Sequence, residues 1–163
     1  MMTFTITKEG VLFALAIYGA VLSTWNLISA LLKNQRAVRV TTNNKIPVYN
    51  GELGAPWAHI EATNIGQRAV TITMLAFELE GGGRLFNLYK ASPPGMEDTV
   101  LPITLTDGQT ARLHQAHADI AQALMTKGLT GKCKLTPICE DSAGGIHRGE
   151  AWDVDPKELV RRL

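Results

Sequence analysis

The sequence predicts a mainly β chain: one N-terminal transmembrane helix, then an antiparallel β-sandwich with one crossover helix. Three observations predict it. Gly10 to Leu32 runs for 23 residues without a charged side chain. Beyond Lys33 the apolar pattern changes to alternation, the mark of half-buried strands. Turn signals then recur between short apolar segments, which favours antiparallel pairing over a parallel α/β arrangement. At 163 residues the chain has room for one domain and a short appendage. The expected organisation is a tail at 1–9, a transmembrane helix at 10–32, a linker at 33–36 and a sandwich domain at 37–163 closed by a short C-terminal helix.

The apolar run comes first. At 1.5 Å per residue it spans roughly 34 Å, slightly more than the ~30 Å hydrocarbon core of a bilayer. Leu12, Phe13, Leu15, Ile17, Val21, Leu22, Leu27 and Ile28 surround the helix rather than forming one stripe, as a membrane anchor requires. Ser and Thr within the run can bond back to a carbonyl one turn earlier; Asn26 is the costly residue, placed near the interface beside Trp25. A signal peptide fits less well, because the preceding segment carries only Lys8 beside Glu9 and no small-x-small cleavage pattern follows. A helix buried in the protein's own core is the remaining alternative. Ala16, Gly19, Ala20 and Ser23 supply small residues four apart, the spacing that lets two membrane helices approach closely. Lys33, Arg36, Arg39 and Lys45 follow the run against Lys8 before it, which points to a cytoplasmic C-terminal domain.

The strands follow in order. "AVRVTT" (37–42) alternates, and "KIPVYNG" (45–51) resumes the pattern with Pro47 marking an edge. "WAHIEATN" (57–64) sets Ala58, Ile60 and Ala62 on one face against Trp57, His59 and Glu61 on the other. "NIGQ" (64–67) is a turn. In "RAVTITMLAFELE" (68–80) the apolar phase slips from Val70, Ile72 and Met74 to Leu75, Phe77 and Leu79, which predicts a bulge or a strand crossing between sheets. "GGGR" (81–84) turns into a strand "LFNLYK" (85–90). "ASPPGMED" (91–98) cannot pair regularly. "TVLPITLTDG" (99–108) and "TARLHQA" (110–116) are strands parted by Asp107–Gly108. "HADIAQALMTKG" (117–128) is the crossover helix, stopped at Gly128. "GKCKLTPICED" (131–141) and "IHRGEAWDV" (146–154) form a last hairpin around "SAGG". "DPKELVRRL" (155–163) reads as a short helix capped by Asp155 with Pro156 at its first position.

"HIEATNIGQRAVTI" resembles the strand–Asn-x-Gly-x-Arg–strand hairpin of immunoglobulin-like domains in small bacterial and phage membrane-tethered proteins. "LPITLTDGQTARL" and "CEDSAGGIHRGEAW" are similar to the later strands of the same type. The resemblance covers most of residues 56–154 and implies an immunoglobulin-like sandwich. It implies no activity, since sandwiches host many functions.

Sixteen Lys and Arg stand against fifteen Asp and Glu, and aromatic content is 6%, so neither a basic face nor a stacking platform marks a nucleic-acid partner. Cys133 and Cys139 are too far apart on one continuous strand to bridge unless it turns sharply at Pro137, and they read as free, buried thiols. "HQAHAD" places His114, His117 and Asp119 close enough in sequence to consider a shared metal, the basis of an alternative reading as a metal-dependent or acid–base enzyme. The bland reading, a surface or cap role, is preferred, and no cofactor is expected. Trp57 and His59 are the partner-binding candidates. No phosphate loop or nucleophile elbow is present. The expected partners are the lipid bilayer and another membrane protein or a second copy of the chain, with no catalytic residue. An extracytoplasmic binding domain is the competing topology.

Overall fold

The computed structural model describes residues 7–33, 36–86, 92–93 and 95–161. The chain divides into two compact units, 1–35 and 36–163. The first is dominated by one helix, α1 (Lys8–Lys33). Over Lys8–Ala30 it is long and apolar enough to cross a membrane. Its large apolar side chains from Val11 to Ile28 are exposed. Thr24 Oγ1 donates to the Ala20 carbonyl at 2.9 Å, so this polar group is satisfied within the helix.

The second unit is built from antiparallel strands. β1 (Val38–Lys45), β4 (Trp57–Asn64) and β8 (Thr110–Ala116) form a three-stranded sheet in the order β1-β4-β8. β5 (Val70–Leu79), β6 (Arg84–Leu85), β9 (Cys133–Asp141) and β10 (Ile146–Arg148) form a second sheet in the order β10-β9-β5-β6. To it β7 (Ile103–Leu105) adds on β5, and β11 (Trp152–Val154) adds on β9. β2 (Val48–Tyr49) and β3 (Glu52–Leu53) pair only with each other. Helix α2 (His117–Thr126) leads from β8 to β9, and so from one sheet to the other. It packs on α3 (Pro156–Arg161).

Both sheets contribute to one core. Val40, Ala58, Ile60 and Ala62 come from the first sheet; Ile72, Phe77, Leu135 and Cys139 come from the second; Ile120 and Leu124 of α2 join them. Alternation explains the assignments on β4, where Ala58, Ile60 and Ala62 are apolar and fully buried. On β5 the buried set switches from Val70 and Ile72 to Leu75, Phe77 and Leu79, and the pairing with β9 shifts register between Ile72 and Met74. A bulge therefore keeps both apolar sets on the core side.

Several strand expectations change in length. β1 runs on to Lys45, and Pro47 parts it from the separate β2–β3 hairpin. The expected strand at 85–90 is a strand only at Arg84–Leu85; residues 87–90 lie outside the described ones. The expected strand at 99–108 is paired only over Ile103–Leu105, because Pro102 offers no donor there. α3 is capped as its sequence predicts, with the Lys157 amide donating to Asp155 Oδ1 at 3.0 Å. Gly149 separates β10 from β11 and donates its amide to the Pro137 carbonyl at 2.9 Å.

Candidate functional site

The pairing of β4 with β8 sets His59 opposite His114, Glu61 opposite Arg112 and Trp57 opposite Ala116. Ala58, Ile60 and Ala62 take the core side of β4, so His59 and Glu61 fall on the other face of the sheet. There the two imidazoles stack, with ring centroids 4.4 Å apart and planes inclined by 25°. They are 1% and 4% exposed. Two histidines buried on the outer face of a sheet are unusual enough to define the site.

Each imidazole is held by its own carboxylate. His59 Nε2 lies 3.2 Å from Glu61 Oε2, which also lies 3.6 Å from Arg112 Nε. His114 Nδ1 lies 2.9 Å from Asp98 Oδ1, and the His114 backbone amide donates to that same oxygen at 2.6 Å. The Asp98 segment is tied to β8 by two further bonds of 2.9 Å: the Thr99 amide donates to the Arg112 carbonyl, and the Arg112 amide donates to Thr99 Oγ1. A carboxylate only accepts, so each ring donates from the nitrogen that faces it; in the neutral form of the rings, His59 Nδ1 and His114 Nε2 are then bare acceptors. Both atoms are buried and lack a hydrogen-bond partner among the described residues. Burial foremost holds His59 below its ordinary value; the Glu61 hydrogen bond opposes this, and the nearby His114 and Lys45 reinforce it.

This arrangement limits the chemistry. A metal is bound by the lone pair in the plane of an imidazole, and near-parallel stacked rings direct those lone pairs side by side rather than to one point. No group of three or more His, Cys, Asp or Glu among the described residues is placed to hold an ion. A histidine–carboxylate dyad also needs a nucleophile to activate. No described hydroxyl or thiol lies within hydrogen-bond distance of either bare nitrogen.

The structure does not bring His114, His117 and Asp119 together as a metal site. His114 closes on Asp98 and His59, whereas His117 opens α2 with Nε2 3.1 Å from Asn44 Oδ1 and its ring 5.4 Å from that of Trp152. The reason is a change of element: His114 obeys the two-residue repeat of β8 and His117 the turn of a helix, so their side chains diverge. Trp57 and His59, the partner-binding candidates, are both buried, Trp57 at 6% exposure. Neither offers a free contact surface. Two further carboxylates, Asp141 and Glu78, have structural duties. Asp141 Oδ1 accepts from the Ala143 and Gly145 amides, while its Oδ2 lies 3.1 Å from His147 Nε2. Glu78 holds Arg148 at 2.8 Å. Ala16, Gly19, Ala20 and Ser23 lie on α1 with exposed side chains.

Sequence reasoning passed over Asp98 and Arg112, and it read Glu61 only as an outward strand residue. Their roles depend on strand register and on a segment returning from residues 16 positions away, neither of which leaves a local mark.

No family model matches the chain, and no curated protein matches it. Among solved structures, a Northeast Structural Genomics Consortium target determined by X-ray crystallography is similar over 76% of this chain and 89% of that one. The identity is 12% and the TM-score 0.30, too low for the likeness to bear on fold or function.

Proposed function

We propose that this is a single-pass membrane protein whose immunoglobulin-like sandwich serves as a non-catalytic binding or accessory subunit at the membrane surface. The observation that carries the proposal is α1: from Val11 to Leu32 it has no charged side chain, and its apolar residues from Val11 to Ile28 are exposed. A helix apolar on every side is stable in water only when covered, and hydrocarbon is the cover that its length fits.

The strand connections favour the immunoglobulin-like reading. Among the longer segments, the first, second and fourth (β1, β4, β8) share one sheet, and the third and fifth (β5, β9) share the other with the closing β10 and β11. That alternation between sheets is the pattern of such sandwiches. Lys33, Arg36, Arg39 and Lys45 outnumber Lys8 across the helix and favour a cytoplasmic domain. Two free cysteines agree with a reducing compartment. The partner is another membrane protein or a second copy, and anchoring raises its effective concentration by confining the search to a surface.

A topology reporter fused to Leu163, combined with carbonate washing of membranes, tests this reading. A cytoplasmic reporter on a carbonate-resistant chain is expected. Release of the chain by carbonate refutes the anchor, and an exterior reporter refutes the orientation.

A further inference from the structure

We propose that the stacked His59–His114 pair is a proton-operated latch that holds residues 95–100 against the outer edge of β8. The sheet order β1-β4-β8 leaves β8 with one side unpaired by any strand of its sheet. That side is closed by three bonds from the 98–99 segment: Asp98 Oδ1 to the His114 amide, the Thr99 amide to the Arg112 carbonyl, and Thr99 Oγ1 to the Arg112 amide. Asp98 is in turn fixed by the His114 ring, which leans on the His59 ring.

The latch responds to protons because of where a second proton must go. With each neutral ring donating its one N–H to a carboxylate, a further proton lands on His59 Nδ1 or His114 Nε2. Those atoms are buried with no acceptor in reach among the described residues, so the new charged donor is stranded. Protons on both rings also place two cations in a stack of 4.4 Å.

The charges facing the pair act in both directions. Glu61 on β4 and Asp98 on the covering segment attract a cation; Lys45 on β1, and Arg112 on β8 beyond Glu61, oppose it. Around His59 burial prevails and favours the neutral ring. Because His59 titrates lower when folded than its ordinary 6.5, its contribution to stability is complete above that value and is lost as the pH falls below it. Turning the rings outward relieves the stranded charge. It also takes from Asp98 Oδ1 one of its two donors, and the segment lets go. What acid then uncovers is a strand edge at Arg112–His114, a surface open to pairing with an added strand.

Amide hydrogen exchange on the full chain in detergent micelles, read by NMR and normalised to intrinsic rates, tests the latch. Between about pH 7.5 and about pH 5, protection of the His114 amide is expected to fall by about tenfold or more as the segment opens. His59→Phe keeps a stacking ring but removes one of the two proton sites and the paired-cation repulsion, so its acid loss of protection is expected to be smaller than the parent's. Equal protection of the wild-type amide at both pH values overturns the proposal, as does an equal acid loss in His59→Phe. Should that variant fail to fold, a pH titration of the wild-type histidine ring resonances decides. Movement of both rings and the His114 amide at a common midpoint supports the latch; titration of either ring with the amide unmoved refutes it.

Discussion

At Gly149 a side chain would meet the Val40 carbonyl oxygen, and would come within 2.9 Å of Pro137 Cγ. A backbone oxygen cannot swing aside, so Gly149→Ala must push β1 away from β10. A loss of about 1–3 kcal/mol is expected, the usual cost of overpacking, visible as a lower denaturation midpoint. An unchanged midpoint would retire the close-approach account. The other telling residue is Cys139. Burial foremost, with the charges of Asp141 and Glu140 adding, pushes its thiol up to about 12. Since only the thiolate attacks, a maleimide should leave Cys139 untouched in the folded protein at neutral pH and label it after unfolding. Mass spectrometry of the labelled chain reads this directly, and rapid labelling of the native protein contradicts it.

Among the elements, the end of β4 is governed by one buried side chain. Asn64 Nδ2 donates to the Arg68 and Leu105 carbonyls at 2.9 and 3.0 Å, and its Oδ1 accepts from the Gly66 amide at 3.0 Å. It thereby joins the β4–β5 turn to β7. Asn64→Ala removes three bonds from a fully buried site, so a loss of about 2–3 kcal/mol is expected in equilibrium unfolding. A loss below about 0.5 kcal/mol would mean that the turn holds without it. The turn itself was legible in "NIGQ", as were β4 and the slip within β5, because alternation is a property of neighbouring residues. The bond from Asn64 to Leu105 was not, since it joins positions 41 apart. The histidine pair was hidden for the same reason: β4 and β8 must be in register before His59 meets His114, and nothing in either strand alone records that register. "HQAHAD" misled because proximity in sequence survives only within one element, and the boundary between β8 and α2 falls inside it.

For the whole molecule, the two compact units make a plain forecast. A chain lacking residues 1–35 should unfold at the same denaturant midpoint as the parent in detergent, within about 0.5 kcal/mol of stability. Circular dichroism or tryptophan emission reads the comparison, and a large loss would show that α1 contributes to the folding of the second unit. The sequence separated these units clearly because their hydrophobic patterns differ in period. It was less informative about how the second unit closes, which depends on contacts such as Gly149 against Val40.

The β2–β3 hairpin has a practical meaning of its own. Val48 faces Leu53 across it, the two are 61% and 76% exposed, and none of the buried hydrophobic residues comes from 46–55. The core is thus complete without this finger, whose tip at Asn50–Gly51 turns through positive φ. Lengthening such a tip costs little entropy. A foreign peptide spliced between Asn50 and Gly51 should leave the thermal midpoint within a few degrees of the parent. The molecule therefore carries an internal attachment port, away from both chain ends, through which an epitope or a fluorophore can report on the protein.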